Sequence, residues 1–184
     1  MLTLAFDTTA DCCSIVLLQD NKVIEKFSEE MDFGQAETLL PQIQNILQKQ
    51  NLTFENINLL AVCVGPGSFT GVRSSIAAAR AFGLACPKLS VTGVSAFEAY
   101  AHSLDMSELS DYNAVIIETK RSDFYFQLFN GRLEKLCDAE ALPYEEIISR
   151  LKGKTVTLIG NGVERFLDKP SRFGQVMPPS KESL

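Results

Sequence analysis

Apolar and polar positions in the first half of the chain predict three strands followed by a helix. The strands are expected at 2–6, 14–19 and 22–28, where short apolar or alternating runs end in turn residues. The helix is expected at 36–50, where apolar residues recur at helical spacing. Those residues are Leu39, Leu40, Ile43, Ile46 and Leu47.

The same half continues with two further strand and helix pairs. A β-rich run at 59–64 leads into a glycine-rich turn and a helix expected at 71–85. A strand at 89–94 and a helix at 95–103 follow. Parallel strands need such helical crossovers, so this part of the chain is typical of an α/β protein.

Polar sequence after residue 103 separates a second half, and we place the domains at 1–108 and 109–184. The second half begins again with a buried strand, and Asn130-Gly131 is a strong hairpin signal. Its elements are expected at 114–117, 124–129 and 133–137 (strands), 144–151 (helix), 156–159 (strand) and 163–167 (short helix).

The order strand-strand-strand-helix-strand-helix therefore occurs twice. Each copy opens with a buried strand that ends in an acid and a threonine, Asp7-Thr8 and Glu118-Thr119. This repetition predicts an α/β fold of two ribonuclease-H-like halves, the architecture of the actin, sugar-kinase and heat-shock ATPase superfamily. The second half is expected to be shortened. Chance similarity between two ordinary α/β segments is the alternative.

Residues 65–73, Gly-Pro-Gly-Ser-Phe-Thr-Gly-Val-Arg, lie between a predicted strand and a predicted helix. Glycines allow close backbone approach, and free N–H groups at a helix start can bind phosphate. The candidate nucleotide or phosphate contacts are Asp7, Thr8, Gly65, Gly67 and Ser68. The segment lacks the lysine of a P-loop and the third glycine of a dinucleotide fingerprint. A tight connection that lets two backbones pack closely is therefore the alternative.

Small residues repeat every four positions in the helix after this motif. One stripe is Ser75, Ala79 and Gly83, and the other is Ala77, Ala81 and Ala85. Such stripes let a second helix approach closely, either within the domain or from another subunit. Arg73 and Arg80 lie seven positions apart and give one face a basic margin, and arginine is enriched at interfaces.

Acidic and histidine residues give weaker signals. Asp7 and Glu118 end corresponding strands, where two carboxylates facing one cleft could hold Mg²⁺ through water, although an acid at a strand end is also a common turn. His102 is the only histidine. A histidine-based metal site normally needs two such ligands, or histidine with cysteines. We therefore predict no catalytic residue and no metal ligand in this chain.

Composition narrows the class of protein. Apolar residues form 46% of the 184 residues, so a sizeable core can be buried. The net charge of −6 argues that another chain does most of any nucleic-acid binding. Five cysteines without metal spacing indicate a reduced protein. No apolar run reaches the roughly 20 residues of a membrane helix, and the start is unlike a signal peptide, so we expect a cytoplasmic protein without membrane association.

Four segments together resemble the TsaB (YeaZ) family. They are Phe6-Asp-Thr-Thr9, the Leu-Leu-Pro motif ending at Pro41, the glycine motif within 61–73, and 91–95. The resemblance continues more weakly through 118–125. The chain departs from the family before the Leu-Leu-Pro motif, where a histidine is often found, and at 118–120, where Glu-Thr-Lys replaces Asp-Ala-Arg.

The resemblance implies a non-catalytic subunit that pairs with TsaD, its larger catalytic homologue. With the ATPase TsaE, the complex transfers threonylcarbamoyl from its adenylate to adenosine 37 of tRNAs that read codons starting with A. The chain would bind no cofactor alone, because ATP and Mg²⁺ are used by the assembled complex, and tRNA would be met only through that complex. Self-association without TsaD is left open.

In the family, the pairing helices are the one that carries Leu-Leu-Pro and the one after the glycine motif. The resemblance therefore implies a partner interface on these two helices. Its residues would be Leu39, Leu40, Ile43, Leu47, Arg73, Ile76, Ala79, Arg80 and Gly83.

Two other functions stay open from the residues themselves. A small ATPase or phosphotransferase of the same superfamily, acting alone, would use Asp7 and the loop at 65–68 and bind Mg²⁺-nucleotide tightly. A peptidase would need a metal or a nucleophile and base pair, which a single histidine hardly supplies.

Overall fold

The chain forms two compact units, and the computed structural model describes residues 1–31 and 33–168. The first unit spans Met1–Ala96 and the second Phe97–Leu184. The division therefore falls at Ala96, earlier than the boundary expected after residue 108. The expected shortening of the second half concerns 169–184, which lies outside the described residues.

A five-stranded sheet and two long helices build the first unit. Its elements are β1 (Leu2–Asp7), β2 (Cys12–Gln19), β3 (Lys22–Glu30), α1 (Gln35–Lys49), β4 (Leu59–Cys63), α2 (Phe69–Ala85) and β5 (Ser90–Val94). The strand order is β3-β2-β1-β4-β5. Strands β1, β2 and β3 pair antiparallel, and β4 runs parallel to both β1 and β5. The two parallel pairings require crossovers, which α1 and α2 provide.

One face of this sheet carries the core of the first unit. Alternate strand residues point to the same side, so Cys13, Ile15 and Leu17 of β2 are all buried. The apolar stripe of α1 covers that side with four buried residues: Leu39, Ile43, Ile46 and Leu47. The helical spacing therefore identified the inward face of α1, and Leu40, which is 52% exposed, lies outside it.

The second unit repeats the topology around a four-stranded sheet. Helix α3 (Ala96–Ala101) begins at the division, and β6 (Tyr112–Glu118), β7 (Asp123–Asn130), β8 (Glu140–Pro143), α4 (Tyr144–Leu151), β9 (Val156–Ile159) and α5 (Val163–Asp168) follow. The strand order is β8-β7-β6-β9, with β9 parallel to β6. Three strands, a helix, a strand and a helix thus occur in both units, which confirms the α/β fold with two ribonuclease-H-like halves.

The third strand of the second unit is not at 133–137, so that prediction was wrong. The side-chain oxygen of Asn130 accepts hydrogen bonds from the backbone N–H groups of Arg132 at 2.8 Å and Glu134 at 3.0 Å. These bonds close a compact loop and compete with ladder pairing, as asparagine side chains commonly do. Residues 133–137 contribute only an isolated bridge between Lys135 and Phe129, and the third strand of the sheet is β8.

The buried face of α1 gives a direct test of this packing. Ile43 is 1% exposed, and Ile43→Ala should lower the free energy of unfolding by about 2–5 kcal/mol because it leaves a cavity. The matched change Leu40→Ala, on the exposed side of the same helix, should stay within about 0.5 kcal/mol of the wild type. Urea denaturation measures both. Equal losses would contradict the assignment of the two faces.

Candidate functional site

The turn after β1 packs directly against the loop between β4 and α2. The carbonyl oxygen of Thr9 accepts a hydrogen bond from the N–H of Ser68 at 2.6 Å. The fully buried hydroxyl of Thr8 donates to the carbonyl of Gly71 at 2.8 Å and lies 2.7 Å from the hydroxyl of Ser75. The structure therefore brings the candidate phosphate contacts together: Asp7, Thr8, Gly65, Gly67 and Ser68.

Glycine is required at two points of this contact. A Cβ atom at Gly67 would overlap the carbonyl oxygen of Thr9, and one at Gly71 would overlap that of Thr8. Each overlap is with backbone, which cannot move aside as a flexible side chain can. The glycines of the motif thus allow two backbone segments of the same chain to lie against each other. We call this contact the glycine interlock.

The polar groups of the glycine interlock are largely occupied by the chain itself. The Ser68 hydroxyl caps α2 by accepting from the N–H of Gly71 at 3.4 Å, and its own N–H is bound to Thr9. The carboxylate of Asp7 accepts from the N–H of Thr9 at 2.6 Å. These groups position α2 relative to β1, and their donors already have partners.

A thiol beneath the glycine interlock is unsuited to nucleophilic catalysis. Burial and the nearby Asp7 carboxylate raise the pKa of Cys63 to about 11, and its sulfur lies 3.4 Å from the Thr9 hydroxyl. Burial likewise raises the pKa of Cys13 to about 11. The thiolate is the reactive form, and at neutral pH both side chains are almost entirely in the thiol form.

The second unit contains a corresponding contact at the end of β6. The N–H of Gly162 donates to the carbonyl of Ile116 at 3.0 Å, and a Cβ atom at Gly160 would overlap that same carbonyl. The side-chain oxygen of Asn161 accepts from the N–H of Glu118 at 3.0 Å. A glycine turn therefore packs against the end of the first strand in each unit.

Glu118, at this strand end, is held by Arg165 of α5. The guanidinium donates to both carboxylate oxygens, at 2.5 and 2.7 Å, and to the carbonyl of Asp123 at 2.8 Å. It also lies 3.8 Å from the ring centroid of Phe124. Sequence reasoning missed Arg165, because no spacing rule links residues so far apart. The paired carboxylate stabilises the second unit.

This pairing changes the acidity of Glu118. Burial alone would raise the pKa of the carboxyl, but the hydrogen bonds from Arg165 and its positive charge outweigh burial and hold the pKa below its ordinary value of 4.5. Glu118 is therefore ionised at neutral pH.

Within residues 1–31 and 33–168, no group of three or more His, Cys, Asp or Glu residues is arranged to hold a metal ion. Asp7 belongs to the first unit and Glu118 to the second. None of the helices in these same ranges combines the length and apolar character needed to cross a membrane.

The two stripes of small residues on α2 face opposite environments. Ser75 and Ala79 are buried, whereas Ala77, Ala81 and Ala85 are exposed. Of the expected interface residues, Leu39, Ile43, Leu47 and Ala79 are buried in the core of their own unit, Ile76 and Gly83 are half-buried, and Leu40, Arg73 and Arg80 are exposed. The spacing gave two stripes but could not tell which one packs inward.

Helix α2 therefore presents an exposed surface that is apolar with two cations. We define this α2 outer face as Phe69, Arg73, Ala77, Arg80, Ala81 and Leu84. Leu84 is 84% exposed and Phe69 75%, and the Arg73 guanidinium lies 4.8 Å from the Phe69 ring centroid. Exposed apolar side chains along one helix face are typical of protein–protein interaction sites. Phe69 and Leu84 were not predicted, whereas Ala77 and Ala81 belong to one of the small-residue stripes found in the sequence.

Comparison with known proteins gives a TsaD family model and curated relatives named TsaB. A family model described as TsaD: tRNA N6-adenosine threonylcarbamoyltransferase matches residues 33–151. The tRNA threonylcarbamoyladenosine biosynthesis protein TsaB of Buchnera aphidicola subsp. Schizaphis graminum is 34% identical, over 90% of this chain and 80% of that protein. The protein of the same name from Buchnera aphidicola subsp. Baizongia pistaciae is 32% identical, over 89% and 76%. The structure of YeaZ from Pseudomonas aeruginosa superposes with a TM-score of 0.80 at 23% identity, over 93% of this chain and 81% of that one.

The fold and the site define a class of protein. Each unit has ribonuclease-H-like topology, a glycine turn locks the end of each unit's first strand, and one helix of the first unit presents an open apolar and basic face. The chain belongs to the TsaB family, whose named members above are biosynthesis proteins for tRNA threonylcarbamoyladenosine. The predicted family is therefore confirmed.

The glycine interlock predicts an asymmetry between two glycines of α2. Gly71→Ala should lower the free energy of unfolding by about 3 kcal/mol or more, because the new methyl group overlaps the Thr8 carbonyl. Gly83→Ala in the same helix should change it by no more than about 1 kcal/mol, because its Cβ meets only a side chain of the exposed β5 and alanine favours helix. Thermal and urea denaturation measure the difference. Similar losses for both variants would refute the interlock as the cause.

The Glu118–Arg165 pair predicts a pH-dependent contribution to stability. A carboxyl with a lowered pKa in the folded protein stabilises it above the unfolded pKa, and that stabilisation is lost as pH falls through the folded pKa. Glu118→Gln should therefore cost about 1.5–3 kcal/mol at pH 7, and the difference from wild type should shrink as the pH falls below 4.5. Urea denaturation at pH 7 and at acid pH measures it. The exposed neighbour Glu164→Gln is the control and should show little effect at either pH.

Proposed function

We propose that this chain is a non-catalytic subunit that pairs with TsaD, and works with TsaE, in forming N6-threonylcarbamoyladenosine at position 37 of tRNAs that read codons starting with A. Family membership supplies the pathway, since the relatives carry that biosynthetic name. The α2 outer face is the observation that supports a pairing role. It is the exposed apolar surface on one of the two helices that the family resemblance assigns to pairing.

Within the expected interface, we assign docking to the residues that a partner could reach. Leu40 on α1 and Arg73 and Arg80 on α2 are exposed, and the α2 outer face adds Phe69 and Leu84. Exposed apolar side chains next to arginines are typical of the centre of an interface. The buried members of the expected set, such as Ile43 and Ala79, support this surface from within and do not themselves dock.

The groups that independent catalysis would need are already hydrogen-bonded within the chain, which supports a non-catalytic subunit. A lone ATPase would need the loop at 65–68 to present free donors, yet Ser68 donates to Thr9. It would also need carboxylates free to approach Mg²⁺, yet Asp7 already accepts from the N–H of Thr9 at 2.6 Å, and Glu118 is bound on both oxygens by Arg165. We therefore assign ATP and Mg²⁺ to the assembled complex, with no cofactor on this chain alone.

The charge of the chain fits an indirect role with tRNA. At a net charge of −6, the chain as a whole repels phosphate, so we assign tRNA binding to the complex. The reduced thiols fit action in the cytoplasm, where such complexes meet tRNA.

Pairing through the α2 outer face is testable with TsaD from the same organism. Leu84→Asp should weaken the complex at least about tenfold, because a charge replaces an apolar contact at the interface. Leu136→Asp, at an exposed leucine of the second unit, is the matched control and should bind as wild type does. Size-exclusion chromatography and titration calorimetry measure complex formation, and circular dichroism checks that both variants are folded.

Either of two results would count against the proposal. If wild type forms no complex with TsaD, the subunit function loses its support. If wild type binds and Leu84→Asp binds equally well, pairing stands but uses another surface. A complex with TsaD that modifies tRNA only when this chain is present, and still does so with Asp7→Ala, would support the non-catalytic assignment.

A further inference from the structure

Strand β5 leaves one backbone edge of the first unit's sheet open. The N–H of Ser90 donates to Asn58 at 3.0 Å, and the carbonyl of Val94 accepts from Val64 at 2.9 Å, so these residues face β4. Successive residues of a strand direct their backbone groups to alternate sides, and Val91 and Gly93 therefore point theirs away from β4. In the described part of the chain, no strand pairs with that side.

The two edges of this sheet are protected unequally. β3, at the opposite edge, carries five charged residues: Lys22, Glu25, Lys26, Glu29 and Glu30. β5 reads Ser-Val-Thr-Gly-Val, with no charge and no proline, and its first four residues are exposed. Charges and prolines on an edge are the usual means of preventing unwanted strand pairing. β5 lacks both, and an unprotected edge of this kind can accept an added strand.

The charge around β5 selects the kind of partner. Between Glu55 and Glu98 the sequence contains no acidic residue but has three exposed cations: Arg73, Arg80 and Lys88. Helix α2 packs over β5, since a Cβ atom at Gly83 would lie 3.2 Å from the Val91 side chain. Two copies meeting edge to edge would bring like charges together, whereas an acidic segment of another protein would find complementary charge.

We propose that the β5 edge binds an extended segment of a partner protein as an added strand, and that this segment carries acidic residues beside a short β-branched run. Backbone groups of Val91 and Gly93 would supply the pairing, and Arg80 and Lys88 would favour the acidic flanks. The β5 backbone edge lies outside the α2 outer face, although Arg80 belongs to that face as well. The proposal does not rest on the pairing with TsaD.

The test uses the full chain and a synthetic peptide, acetyl-Glu-Glu-Val-Thr-Val-Thr-Val-Glu-Glu-amide. Hydrogen exchange followed by NMR should show the Gly93 amide exchanging about tenfold more slowly with peptide than without. Val91→Pro removes one outward N–H and leaves the pairing with β4 intact, since proline is tolerated on the open side of an edge strand. This substitution should weaken binding of the peptide at least about tenfold. Val91→Thr keeps the N–H and is the matched control.

A peptide with lysine in place of each glutamate should bind at least about tenfold more weakly than the acidic one. No protection with acidic peptide at about 1 mM, or equal binding by Val91→Pro, would overturn the proposal. Protection already present in the free chain would also overturn it. If that protection rises with protein concentration, a second copy occupies the edge, and if it does not, the chain covers the edge itself. None of these results depends on TsaD.

Discussion

The close backbone contact between the turn after β1 and the loop before α2 determines the rest of the first unit. Thr8 and Thr9 present carbonyl oxygens that only glycine can approach, and the Thr8 hydroxyl binds both the backbone and the Ser75 side chain of α2. The start of α2 is therefore fixed in position and in rotation. That rotation decides which stripe of small residues enters the core and which, with Leu84 and the two arginines, is left open.

The second unit solves the same packing problem with different residues. There the turn at 160–162 lies against the end of β6, and Asn161 binds the N–H of Glu118. The acids at the two strand ends have different partners. Asp7 accepts a hydrogen bond from the N–H of Thr9 in the following turn, whereas the ionised Glu118 is paired with the guanidinium of Arg165. The two units thus share the packing of a glycine turn on the backbone of a strand end, but not the side chains around it.

The pattern of apolar and turn residues predicted correctly the elements that depend on interactions between residues close in sequence. α4 and β9 were placed at their observed bounds, because their periodicity is strong and their ends are marked by turns. The strand at 133–137 failed because one side chain, Asn130, closes a loop that propensity does not reveal. The glycine motif was found by sequence, but only the Cβ geometry shows what its glycines pack against. The partner of Glu118 and the inward side of α2 depend on tertiary packing, which no spacing rule encodes.

The segregation of charge in the first unit has a kinetic consequence. Residues 56–97 hold three of the seventeen cations and none of the twenty-three acids, so the chain carries a cationic region within an otherwise anionic molecule. Such an asymmetry gives the molecule a dipole that orients it in the field of a charged partner before contact. Encounters with an acidic partner of the kind proposed above would then begin with the α2 and β5 side leading. Their rate should depend on ionic strength more steeply than the lifetime of the complex does, because dissolved salt screens the approach and not the buried contact.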